Sequence, residues 1–181
     1  MPGNGGGDDV DDPDGANDTL DVDGDALAGV VDLFGALTRA ELERALEELA
    51  YKLGSEPPDT GAVDRAVERY ALVTYGADGG DGEPDADDGG TELLVPGPSA
   101  FPTLPPGAED LPHIMEVPSR EVDREAVGRA VEERFRADVA RALASGDDDL
   151  VERLLDVSYD LDAWGLDLAE LRDRLDDARE G

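Results

Sequence analysis

The chain contains a single histidine, His113, in the run Leu111-Pro112-His113-Ile114. Its imidazole could serve as a base, a metal ligand or a pH-sensitive contact, because its charge changes near neutral pH. No cysteine accompanies it anywhere in the chain, and an imidazole without a partner cluster reads as structural before it reads as catalytic. Asp21, Asp23 and Asp25, with Asp32 further on, repeat the spacing of a calcium loop. The sixth position is Ala26, however, where the sharp turn of such a loop needs glycine, and Leu27, Val30 and Val31 are required as one face of a helix. In a chain so rich in Asp the spacing arises by chance. No phosphate-binding loop, His-Glu-x-x-His or Gly-x-Ser-x-Gly pattern occurs, and among 47 acidic residues a pair of carboxylates carries no information about acid–base work. The expectation is a protein that is not an enzyme, with no catalytic, cofactor-binding or metal-ligating residue, and with His113 as the one candidate functional side chain.

Arg39, Arg44, Arg65 and Arg69 are the other residues whose chemistry matters, since clustered guanidiniums could meet phosphate. Their placement depends on the helices that carry them. Leu27, Val30, Val31 and Phe34 recur at helical spacing and predict a first helix ending near Gly35. Thr38 and Glu41 form a capping-box pair, and Leu42, Ala45, Leu46, Leu49 and Leu53 predict a second helix ending at Gly54. After Glu56-Pro57-Pro58, Val63, Ala66, Val67 and Tyr70 predict a third, begun at Asp59 or Thr60. Leu72 to Tyr75 and Leu93 to Val95 then read as two strands of a hairpin with a mobile acidic tip over 76–90.

Three helices followed by a hairpin over 25–98, with Leu37-Thr38-Arg39-Ala40-Glu41-Leu42 opening the second helix, resembles a winged helix-turn-helix. The resemblance implies a third helix in the DNA major groove and a wing on the backbone, and Arg39, Arg44, Arg65 and Arg69 would then face the duplex. The wing offers Asp78, Asp81, Glu83, Asp85, Asp87 and Asp88 with no basic residue, and phosphate would be repelled by it. Contact with protein is the preferred reading of this unit.

The proline-rich segment 99–118 cannot be helix over its first half. Phe101, Leu104, Leu111, Ile114 and Met115 predict that it packs as a strap along both flanking units. The C-terminal unit, 119–181, reads as three helices: one from Val122 or Asp123 to Ala144, one carrying Leu150, Val151, Leu154 and Leu155 behind an Asp147 or Asp148 cap, and one carrying Leu168, Leu171 and Leu175 behind Asp167. Trp164 is expected to plug the turn between the last two. The expected fold is therefore mainly α: a winged-helix-like unit, a strap and a three-helix unit. The runs Asp32-Leu33-Phe34-Gly35-Ala36-Leu37-Thr38, Pro96-Gly97-Pro98-Ser99-Ala100-Phe101-Pro102-Thr103-Leu104-Pro105 and Leu154-Leu155-Asp156-Val157-Ser158-Tyr159-Asp160-Leu161 resemble an uncharacterised haloarchaeal family, a domain of unknown function. That resemblance implies no activity, cofactor or catalytic residue.

Charge sets the surroundings in which any site must work. The 181 residues hold 47 acidic and 15 basic side chains, a formal net charge of -32, and Lys52 is the only lysine. Self-repulsion at that density loosens a compact state in dilute buffer, whereas in molar salt a Debye length of about 3 Å screens it. The acids are spread over the patterned segments as well as the tail at 1–24, which reads as disordered. That spread suits an acidic, halophilic protein. No stretch is apolar enough to span a bilayer and the acidic N-terminus lacks signal-peptide features, so cytoplasmic residence away from membranes is expected. The preferred function is a protein-interaction or regulatory module with an unidentified protein partner. A winged-helix transcriptional regulator binding nucleic acid is the alternative, and an enzyme ranks third.

Overall fold

A computed structural model of the chain describes residues 18–76 and 92–181. The acidic hairpin tip and most of the N-terminal tail fall outside the described residues. Within them the protein is mainly α, with seven α-helices and one antiparallel hairpin. The N-terminal helices are α1 (Gly24–Phe34), α2 (Arg39–Leu53) and α3 (Ala62–Glu68), followed by strands β1 (Leu72–Gly76) and β2 (Glu92–Pro96). A 3-10 turn at Ala108–Asp110 leads into the one-turn helix α4 (Leu111–Ile114), and α5 (Arg124–Ser145), α6 (Asp148–Ala163) and α7 (Ala169–Glu180) complete the chain.

The caps explain the helix boundaries. Asp23 accepts from the Ala26 N–H at 2.8 Å to start α1. Thr38 and Glu41 form the full reciprocal capping box of α2, which ends at Gly54 in the left-handed conformation. Asp123 caps α5 and Asp147 caps α6. Helix α7 begins one residue later than a cap at Asp167 would place it, with Leu168 buried at its N-cap. The end of the tail is structured: Leu20 N–H donates to the Glu56 carbonyl at 2.8 Å, and the Leu20 side chain joins the core. Disorder up to residue 24 is thereby corrected for 18–24, because a β-bridge and one buried leucine offset the ordering entropy there.

The hairpin sits between two hydrophobic clusters. Its pairing sets Val73 opposite Val95, Thr74 opposite Leu94 and Tyr75 opposite Leu93, so alternation sends successive side chains to opposite faces. Leu72 and Leu94 enter a cluster built from α1, α2, α3 and α4. Val73, Tyr75, Leu93 and Val95 enter a second cluster with Val131, Phe135 and Val139 of α5 and the apolar faces of α6 and α7. Leu37, between α1 and α2, exchanges backbone hydrogen bonds with Leu94 at 3.1 and 2.7 Å, adding a one-residue bridge at the hairpin edge.

The strap packs differently from the expectation. Phe101 is 77% exposed, and Leu104 and Ile114 are also exposed; only Leu111 and Met115 of the five predicted residues are buried. Backbone and polar contacts hold it instead. Phe101 N–H donates to Asp25 Oδ1 at 2.9 Å, Thr103 N–H donates to the Asp25 carbonyl at 3.0 Å, and Ser99 Oγ donates to Asp160 Oδ2 at 2.8 Å. Prolines on either side fix the backbone direction, so Phe101 is turned outward while its N–H points at α1. Trp164 likewise does not plug the α6–α7 turn; it is 41% exposed at the C-cap of α6.

Candidate functional site

The residues singled out from sequence do not converge. His113 is exposed on α4, where its charge acts on Asp110 at the start of that helix. Asp23 is used as a helix cap and Asp25 as the acceptor for the strap, while Asp32 lies at the far end of α1. Among the described residues no group of three or more histidine and carboxylate side chains is arranged to hold a metal. Arg39 is paired with Asp64, and Arg65 makes two hydrogen bonds to Asp59 at 2.9 and 2.6 Å. Arg44 and Arg69 are exposed and make no ion pair among the described residues. Two of the four arginines are thus already neutralised by neighbouring carboxylates, and the Arg65 guanidinium holds the Asp59 carboxyl below its ordinary range.

Sequence reasoning missed a buried polar network in the second cluster, between the residue that follows α3 and α5. Tyr70 follows α3 with φ of +62°. Ala71 N–H returns to the Ala66 carbonyl at 2.9 Å and Tyr70 N–H to Val67 at 3.0 Å, the Schellman arrangement in which this position is normally glycine. A side chain in left-handed backbone costs about 1–2 kcal/mol, and the ring offsets it by what it reaches. Its edge packs on Phe135 with centroids 6.3 Å apart, and its hydroxyl donates to Asp138 Oδ2 at 2.6 Å. Asp138 accepts from Arg141 at 2.7 Å and is paired with Arg134 Nε at 3.5 Å. The Arg134 guanidinium lies 4.2 Å above the Tyr70 ring, and its Nη1 is buried with no hydrogen-bond partner among the described residues. Burial first, and the hydrogen bond to Asp138 second, push the Tyr70 hydroxyl far above its ordinary pKa. A tyrosine held so firmly protonated serves as a donor that joins the halves and is unsuited to act as a base.

A groove with a cavity volume of about 850 Å³ opens on another side, bounded by the end of α1, the end of β2, the first turns of α5 and the α6–α7 turn. Its apolar lining includes Val95, Val122, Val127, Trp164 and Leu166. Gly128 lies in the interior of α5, where glycine costs about 1 kcal/mol relative to alanine. A Cβ there would meet nothing within 4 Å, so the glycine relieves no clash among the described residues. Arg124 and Arg129 stand at the rim with Asp32 and Glu125, while Glu132 is already bound by Arg136 at 2.7 Å. A smaller cleft of about 400 Å³ between α6 and α7 is polar and acidic, with Asp149, Glu152, Asp156 and Asp176 around Arg153 and Arg179.

No helix among the described residues is long and apolar enough to cross a membrane. Comparison with curated proteins gives no match, and neither does comparison with solved structures. A family model described as a family of unknown function, DUF7109, matches residues 25–180. The match runs from α1 to the last turn of α7 and takes in the hairpin, the Tyr70 network and the groove, so the chain belongs to the DUF7109 family.

Proposed function

We propose that this protein is a non-enzymatic, cytoplasmic protein-interaction or regulatory module adapted to high salt, and that it meets its partner through the groove at Gly128. The observation that carries this reading is a groove of about 850 Å³ whose lining includes Val95, Val122, Val127, Trp164 and Leu166. Grooves of this volume and lining are common binding sites, and the exposed edge of Trp164 supplies an aromatic anchor of the kind enriched at interfaces. The spread of acids over exposed helix faces, such as Glu43, Glu47 and Glu48 on α2, and the resemblance to a haloarchaeal family support the salt adaptation.

The test is purification of the tagged protein from the cells that make it, in molar KCl, quantifying co-eluting protein and nucleic acid together. A stoichiometric protein partner is the expected result. Recovery of specific DNA would instead promote the regulator reading, which rests on the helix–helix–helix–hairpin order and the Leu37–Leu94 bridge. That alternative is weakened by the pairing of Arg39 and Arg65 with acids, since phosphate contacts need free cations. An enzyme ranks third, because His113 lies outside the groove and the Tyr70 hydroxyl is bound to Asp138.

A further inference from the structure

We infer that the hairpin couples the two hydrophobic clusters into one cooperative unit, so that the N-terminal helices and α5–α7 open together and no hinge works between them. The strands carry the first argument. Leu72, Val73 and Tyr75 on β1 and Leu93, Leu94 and Val95 on β2 are each 5% exposed or less. A hairpin with one face in water alternates apolar with polar residues, whereas a run that is apolar on both sides calls for cover on both faces. A two-stranded hairpin is itself marginal in water and persists only with such packing.

The backbone also passes between the clusters repeatedly. Ala36, Tyr70, Val73, Tyr75, Leu93 and Val95 belong to the second cluster, although their chain neighbours Leu37, Ala71, Leu72 and Leu94 belong to the first. Separable domains meet at linkers where few contacts cross; here adjacent residues are divided between the two cores at each crossing. Parting α5–α7 from the rest would bare those six side chains, each 5% exposed or less. Polar ties span the same boundary. Tyr70 donates to Asp138 at 2.6 Å, Ser99 Oγ donates to Asp160 at 2.8 Å, and Arg120 donates to both carboxylate oxygens of Glu41 at 2.7 and 2.8 Å. Gly97 N–H donates to the Ala71 carbonyl at 2.8 Å and Ser99 N–H to the Tyr70 carbonyl at 3.1 Å. A Cβ at Gly97 would lie 2.1 Å from that Tyr70 oxygen, so the start of the strap cannot lift without disturbing Tyr70 and, through it, α5. The groove takes one wall from the end of α1 and another from α5 and the α6–α7 turn, and the same coupling fixes its width.

The test uses the full chain in molar KCl, with amide hydrogen exchange read at the most protected positions of α2 and of α6. Leu49→Ala removes a buried side chain from the first cluster and Leu154→Ala one from the second. Each should speed exchange in both helices by the same factor, at least about tenfold for a buried leucine. Each should also move the denaturation midpoint seen by fluorescence of Trp164, the only tryptophan, in step with that seen by far-ultraviolet circular dichroism. Should Leu49→Ala leave too little folded chain, Leu49→Val carries the same comparison with a smaller shift. Faster exchange confined to the helix whose cluster was altered, a Trp164 transition left in place by the Leu49 variants, or two separate steps in the parent chain would each overturn the inference.

Discussion

Among the described residues two glycines lie in helix interiors, and their surroundings are opposite. At Gly29 of α1 an added Cβ would lie 2.2 Å from the Thr103 carbonyl oxygen, so the glycine is required for the strap to cross the helix. At Gly128 of α5 an added Cβ meets open space. The first is explained by packing within the chain, whereas no contact among the described residues calls for the second. The same contrast runs along α5. Its second half is fastened to Tyr70 through Asp138, whereas its first half carries the groove.

The fastened half should give the largest effect. Asp138→Ala strands the Tyr70 hydroxyl and the Arg134 guanidinium against the second cluster and should cost about 3–5 kcal/mol, read by chemical denaturation in molar KCl. Tyr70→Phe should cost less, about 1–2 kcal/mol, because Asp138 keeps its arginines. The two glycines then test the comparison directly. Gly29→Ala should destabilise by about 1–3 kcal/mol through forced displacement of the strap. Gly128→Ala should stabilise by about 1 kcal/mol through helix propensity alone. Destabilisation by Gly128→Ala would remove the distinction.

A pH-dependent effect of intermediate size is expected at Glu41, which accepts two hydrogen bonds from Arg120 at 2.7 and 2.8 Å. Burial raises its pKa, but the Arg120 contacts and the capping bond to Thr38 outweigh this and leave it below the ordinary 4.5. A depressed folded value means stability present above the unfolded value and lost as pH falls through the folded one. The stability difference between the parent and Glu41→Gln should therefore be full above about pH 5 and vanish in strong acid. The difference is the proper readout, since acid also relieves the general self-repulsion. The smallest effect belongs to Phe101→Ala, which should stay within about 0.5 kcal/mol, as expected of an exposed side chain.

Much of the fold was legible because its signals are local. The Thr38–Glu41 box, the Gly54 stop, the Asp123 and Asp147 caps and the apolar period of α5 each depend on residues within a few positions of one another. The candidate site was not, for physical reasons specific to this chain. Asp138 falls on the core face with Val131, Phe135 and Ala142, but one buried carboxylate is hard to notice among so many solvated ones. Tyr70 pairs with it across 68 positions, a relation no local pattern encodes. The outward turn of Phe101 was hidden because apolar residues in a proline-rich run show no periodicity to say which side is buried. Gly128 was readable as a local oddity of α5, and that departure from helix preference was the available signal for the groove.

The proposed function places the protein partner at the groove and not at the arginine-bearing face of the N-terminal helices. Photo-crosslinking tests it most directly, with a benzophenone side chain placed in turn at Asp32 on the groove rim and at Arg69 beyond α3, in cells that make the protein. A discrete protein adduct from position 32 and none from position 69 is the expected result; nucleic-acid adducts from position 69, with none from position 32, would overturn the proposal.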